Sequence, residues 1–202
     1  MELKLGDLTL YLQYNSIVIL TLFFISFFVL ILDKITRGKS NYLLFENYRS
    51  SLLSGFTYLR FFTHALGHSS WDHFAGNYIT ILLIGPMIEE KYGSLELLVM
   101  ILITSFICGL VNFIIGKNRL RGASNILYML IVLASFVNIE AGKIPITFVL
   151  IFIFYVIKEF RDVKKDDGIS HTGHILGALC GMAFGFLYLN SLSIIDLIKC
   201  LF

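Results

Sequence analysis

The stretch HTGHILGALCGMAFG, residues 171–185, sets glycine at positions 173, 177, 181 and 185 within an otherwise apolar run. A strict four-residue interval lines one helix face with positions that carry no side chain, and membrane helices use such ridges to meet backbone to backbone. His174 shares a face with Gly177 and Gly181, three and seven residues further on, so any helix packed on the ridge meets this imidazole closely. A titratable ring at membrane depth is costly enough to mark a functional-site candidate.

The rest of the chain fits lipid as its solvent. Of 202 residues, 57% are hydrophobic and 15% charged, and the mean hydropathy is +0.81. That composition is expected of a polytopic membrane protein and not of a soluble core. The formal net charge is only +2, and the cations stand singly between apolar runs, so nothing points to a nucleic-acid partner. Cys108, Cys180 and Cys200 each sit alone in apolar sequence, without metal-ligand spacing or a disulfide framework, and read as small buried residues. The N-terminal residues lack the basic-then-apolar pattern of a signal peptide and are read as mature sequence.

A membrane-spanning helix needs about 20 largely apolar residues. Six runs qualify, approximately Tyr11 to Leu32, Trp71 to Glu89, Leu95 to Ile115, Gly122 to Val137, Ile144 to Ile157 and Ile169 to Leu189, the fourth and fifth being the shortest. The expectation is an all-α, six-transmembrane-helix bundle forming one domain over residues 1–202, without internal repeats. The long connection from Asp33 to Ser70 is rich in aromatics and carries Arg49 and Arg60, as expected of a segment lying in the membrane interface. The tail from Ser191 is too short to span and is expected as a surface helix.

Polar residues at span starts define a candidate site. All five histidines fall in residues 62–77 or 170–177. His73 opens the second span, Ser124 the fourth and His174 the sixth. Successive spans alternate in direction, which brings these starts to one membrane face. Asn77 lies one turn beyond His73 on the same side. Gly122 permits close backbone approach, and Ser124 sits among helix N–H groups that have no intrahelical partner, a place suited to stabilising an oxyanion. Tyr128 is one turn further along. If the fourth span packs on the glycine ridge, His174 reaches Ser124, and a serine with an adjacent base is an activated nucleophile.

Over nearly the whole chain these residues resemble the rhomboid intramembrane serine proteases. The resemblance rests on six spans with a long first loop, on His-x-x-x-Asn in the second span (His73, Asn77), on Gly-x-Ser in the fourth (Gly122, Ser124), and on His-x-x-Gly-x-x-x-Gly in the sixth (His174, Gly177, Gly181). Arg60, His64, His68, Gly85, Glu89 and the pair Tyr92 and Gly93 add agreement. It implies a Ser124–His174 catalytic dyad, an oxyanion hole from His73, Asn77 and the Ser124 backbone N–H, and support from Gly122, Tyr128 and Asn125. It also implies Arg60 and Glu89 as structural anchors, transmembrane or membrane-anchored protein substrates, a bacterial cell-membrane location, and neither metal nor cofactor. Oligomeric state is not written in any motif. Two positions depart from the family pattern: Asn125 follows the nucleophile where glycine is common, and Met129 stands where a small residue is usual.

His64 and His68 read as scaffolding for the first loop, and His171 as an unassigned neighbour of His174. Three other readings stay open here: a proteolytically inactive rhomboid-like protein that binds and escorts membrane clients, a metal enzyme using His64 and His68 at helical i,i+4 spacing, and a transporter. For the metal reading no HExxH sequence is present; for the transporter no inverted repeat is visible. Cations are denser on the face that carries the candidate site, which by the positive-inside tendency directs it to the cytoplasm, whereas the resemblance implies a site opening outward.

Overall fold

Each of the six apolar runs holds one helix. The computed structural model describes residues 2–5, 8–11, 13–116, 118–137, 139, 143–162 and 171–201. A short antiparallel hairpin, β1 (Glu2–Leu5) with β2 (Leu8–Tyr11), precedes the helices. The run expected from Tyr11 therefore begins later, as α1 over Ile17–Ile35. The first connection is largely ordered: a π-helical turn at Asn41–Phe45, helix α2 over Gly55–Thr63 and a 3₁₀ turn at His64–Leu66. Then follow α3 (Trp71–Tyr92), α4 (Ser94–Ile115), α5 (Ser124–Ala134), α6 (Ile146–Asp162), α7 (His171–Leu189) and the short α8 (Ile194–Leu201).

Three of these helices, α1, α4 and α7, are long and apolar enough to cross a membrane. The fourth expected run is corrected most. Of Gly122 to Val137 only the 11 residues Ser124–Ala134 are α-helical, about 16 Å at 1.5 Å per residue and roughly half a hydrocarbon core. Gly122, at φ +110°, turns the chain into the helix, and a tight turn over Ser135 to Val137 ends it. The reason is burial: Asn125, Ile126, Met129, Leu130, Val132 and Leu133 are all enclosed by neighbouring helices. A helix sheathed in protein needs no length matched to lipid.

The apolar core gathers around α5. Ile19 and Leu30 from α1, Tyr78, Ile81 and Ile88 from α3, Leu97 and Met100 from α4, and Ile126, Met129 and Leu133 from α5 are essentially inaccessible. α5 and α7 make the closest pairing. A Cβ built on Gly177 overlaps the Asn125 carbonyl oxygen, and one built on Gly181 lies 2.5 Å from that of Met129. Steps of four on α7 match steps of four on α5 in the same direction, so the two run parallel. Polar anchors fix the other helices. Glu89, near the end of α3, accepts hydrogen bonds from Ser16 Oγ (2.5 Å), Val18 N (2.9 Å), Ile19 N (3.1 Å) and Ser94 Oγ (2.6 Å), which caps α1 with a carboxylate. Gly93, at φ +87°, is the single residue between α3 and α4.

Many aromatic and aliphatic side chains of the first connection, Tyr42, Leu53, Phe56 and Tyr58 among them, are exposed. Phe61 instead turns inward, its backbone so close to Gly109 of α4 that a Cβ there would lie 2.8 Å from the Phe61 Cα. Arg60, 4% exposed, bonds to the Leu43 carbonyl (3.2 Å), the Tyr48 hydroxyl (3.0 Å) and Ser50 Oγ (2.6 Å). The connection is thus a built element, with Arg60 engaged in internal bonds.

Candidate active site

Ser70 caps α3 by accepting a hydrogen bond from the His73 N–H at 3.1 Å, and this cap starts the helix that presents His73 and Asn77. Ser69 Oγ lies 3.1 Å from His73 Nδ1. With the hydroxyl donating there, the ring carries its proton on Nε2, the edge turned toward Gly122. A Cβ built on Gly122 would lie 2.7 Å from His73 Cε1, 2.8 Å from Nε2 and 3.6 Å from Asn77 Nδ2. Both the missing side chain and the positive φ are therefore needed at this position. The turn at Gly122 seats the start of α5 against the two donors expected to work together.

His68 organises this corner from beneath. Its Nδ1 lies 3.2 Å from the Leu66 carbonyl, which places the proton on that nitrogen and leaves Nε2 as an acceptor. Nε2 then receives one Asn77 amide proton at 3.2 Å and the Ala123 N–H at 3.4 Å. The same amide nitrogen borders Gly122, 3.6 Å from a Cβ built there. Burial, reinforced by the neighbouring His73 ring, pushes His68 down to about 4, so it is neutral at ordinary pH. His64, fully enclosed, has Nε2 3.0 Å from the Ser105 carbonyl of α4 and is likewise lowered to about 4 by burial. Its own carbonyl accepts the Gly122 N–H at 2.9 Å.

The metal reading relied on His64 and His68 at helical i,i+4 spacing. His64 and His68 do not share a helix face, because the 3₁₀ turn stops at Leu66 and Gly67 is extended (φ −76°, ψ 141°). One ring turns to α4 and the other to α3 and α5. Among the described residues no three His, Cys, Asp or Glu side chains converge as metal ligands.

Ser124 is the first residue of α5 and partly accessible. His174, 8% exposed, packs at a tilt against Tyr128 with ring centroids 4.3 Å apart, and Tyr155 of α6 also contacts that tyrosine at 4.7 Å. Extending the register of Gly177 on Asn125 and Gly181 on Met129 by one turn sets His174 level with the start of α5. The His171 ring lies 6.1 Å from that of His174. Asn125 and Met129, the two departures from the family pattern, both turn away from the nucleophile. Asn125 is 1% exposed with its amide beside the Cys108 thiol, and the Met129 sulfur accepts Thr104 Oγ1 at 2.9 Å. Cys108 and Cys180 are buried thiols, as expected.

Sequence reasoning treated His68 as generic scaffolding and did not single out Glu46, Asn47 or Asn112, which hold the segment leading to Ser124. No local pattern marks these roles.

Two comparisons bear on this geometry. Residues 55–191 match the rhomboid domain. Among curated proteins the chain is similar to the rhomboid protease GlpG of Haemophilus influenzae, with 24% identity over 131 residues that cover 63% of this chain and 68% of the relative.

Proposed function

The chain belongs to the rhomboid family of intramembrane proteases, and we propose that it is an active serine endopeptidase cleaving transmembrane or membrane-anchored proteins through Ser124 and His174. The observation that carries this reading is the double packing of α5. Gly122 seats its first turn on His73 and Asn77, while the α7 ridge seats the same helix on the His174 side.

In the proposed reaction, neutral His174 accepts the Ser124 hydroxyl proton as Oγ attacks the scissile carbonyl carbon. Charge develops on the carbonyl oxygen, which receives hydrogen bonds from His73 Nε2–H, the Asn77 amide and the Ser124 N–H. These donors are oriented beforehand by Ser69, by His68 and by the helix start, so little reorganisation accompanies the charge. The imidazolium then protonates the departing amine, and water attacks the ester to release the second product and restore Ser124. A substrate helix must unwind at the cut, since its hydrogen bonds hide the carbonyl. Small or helix-breaking residues there are the corresponding preference.

The same proposal takes all six helices α1 and α3 to α7 as the membrane bundle, with α5 as its sheathed centre and the aromatic first connection in the interface of a bacterial cell membrane. The escort reading drew on Asn125, whose buried amide lies beside the Cys108 thiol of α4. Labelling by a fluorophosphonate and cleavage of a test transmembrane substrate are expected of the wild type, with both lost in Ser124→Ala and His174→Ala. Survival of both in Ser124→Ala overturns the reading.

A further inference from the structure

Residues 119–121 lead to the Gly122 turn and Ser124 as an extended segment, and the first connection grips that segment at several points. Asn47 and Leu120 exchange backbone hydrogen bonds of 2.8 and 2.9 Å in antiparallel fashion. Asn112 of α4 reinforces the pair by donating to Asn47 Oδ1 at 3.0 Å. Alternate residues of an extended chain face one way, so Arg119 and Arg121 both point to the same side of Leu120. There they meet one carboxylate, that of Glu46. Arg119 Nη1 bonds Oε2 at 3.1 Å, Arg121 bonds Oε1, and the glutamate side chain is only 3% exposed. Arg119 also lies over the Tyr42 ring, 5.0 Å from its centroid.

We propose that Glu46 is a positioning residue for the nucleophile: by holding Arg119 and Arg121 on its two oxygens it fixes the register of the segment that delivers Gly122 and Ser124 to the oxyanion donors. Two observations carry this beyond ordinary loop anchoring. The carboxylate engages both arginines, one on each oxygen, and a slip of one residue would present Leu120 to it in their place. Arg121 directly precedes Gly122, whose approach to His73 leaves no room for a Cβ, so a small displacement of the arginine is passed straight to the site. Glu46 touches no reacting atom and acts only through the backbone it holds.

The proposal rests on the serine-protease reading, and the test separates the two. Full-length protein in detergent or bilayer discs is compared as wild type, Glu46→Gln, Arg121→Gln, Arg119→Gln and Glu89→Gln. The readouts are melting temperature, fluorophosphonate labelling rate, and kcat and KM on a transmembrane substrate, taken well below every melting point. Misplacement of reacting groups by about 1 Å costs up to roughly a hundredfold in rate. Glu46→Gln and Arg121→Gln are expected to lose about tenfold or more in labelling rate and kcat with KM held within about twofold. Arg119→Gln, removing the more exposed arm, is expected to lose less. Glu89→Gln, at the far end of α3, is expected to lower the melting point at unchanged kcat. If Glu46→Gln does not fold, Arg121→Gln, which leaves the carboxylate paired with Arg119, decides alone. Lowered melting with wild-type labelling and kcat in these variants overturns the positioning role while the protease reading stands. A wild type that neither labels nor cleaves overturns both.

Discussion

Gly177→Ala and Gly181→Ala test the packing on which the site depends. At Gly181 the new methyl would stand 2.5 Å from the Met129 carbonyl oxygen and 3.1 Å from its carbon; at Gly177 it would overlap the Asn125 oxygen and lie 2.9 Å from the carbonyl carbon. Carbon-to-oxygen approaches between packed backbones settle near 3.3 Å or more, so the two helices must part by roughly 0.8 Å at Gly181 and further at Gly177. The obstacle is backbone on both sides, with no flexible side chain to yield. Overpacking of this kind costs about 1–3 kcal/mol, which for a chain of this size lowers the melting temperature by roughly 2–12 °C. Gly76→Ala is the control: it lies on the exposed side of α3 with nothing within 4 Å of the built Cβ, and a helix-interior alanine there contributes about 0.5–1 kcal/mol of stability. Thermal melts of the three variants in one detergent, with fluorophosphonate labelling alongside, give the comparison. Labelling should fall in the ridge variants, because the same separation carries His174 from the start of α5. Gly177→Ala melting at or above the wild type would refute the argument.

Three further outcomes follow from the geometry. His73→Ala and Asn77→Ala should each lower kcat by about 10²–10³-fold with little change in KM, as loss of an oxyanion donor does; a pure KM effect assigns them to substrate binding. His64 and His68 titrate near 4 in the folded protein against about 6.5 when unfolded. Between these values the unfolded chain binds more protons, so stability present above about pH 6.5 is lost as pH falls toward 4, with a limiting slope of about 1.4 kcal/mol per pH unit for each ring. Melting temperatures that stay flat from pH 7 to 4.5 contradict that assignment. Glu89→Ala strips four hydrogen bonds from the start of α1 and from Ser94, and a loss of about 2–4 kcal/mol is expected. Glu89→Gln keeps the shape and should lose less; equal melting of the two variants would show that the bonds contribute nothing.

The positive-inside count shows how sequence and structure divide the problem. Lys34, Arg49, Arg60, Arg119 and Arg121 all add to the cationic side of the ledger. Folded, Lys34 bonds the Ser69 carbonyl, Arg49 the carbonyls ending α4, Arg60 the first connection and the last two Glu46. Charges held by local partners speak for the architecture of that face, and their weight as topological signals shrinks accordingly.

Hydropathy and periodicity are local properties, and they sufficed for the lipid-soluble composition, the six helix-bearing runs, the α7 glycine face and the order of the polar residues along it. Membership of the rhomboid family was legible for the same reason, since its marks are short spacings within single helices. The length of α5 was not legible, because it depends on whether neighbouring helices or lipid surround Ile126 to Leu133. Nor was the second use of His68, whose bonds to Asn77 and Ala123 join three segments, or the hold of Glu46 on residues 73 and 75 positions away. Such contacts depend on where the folded chain brings distant residues together, and a linear pattern carries no record of that distance. Only the tertiary structure decided that a buried carboxylate and a neutral imidazole stand behind the turn that presents Ser124.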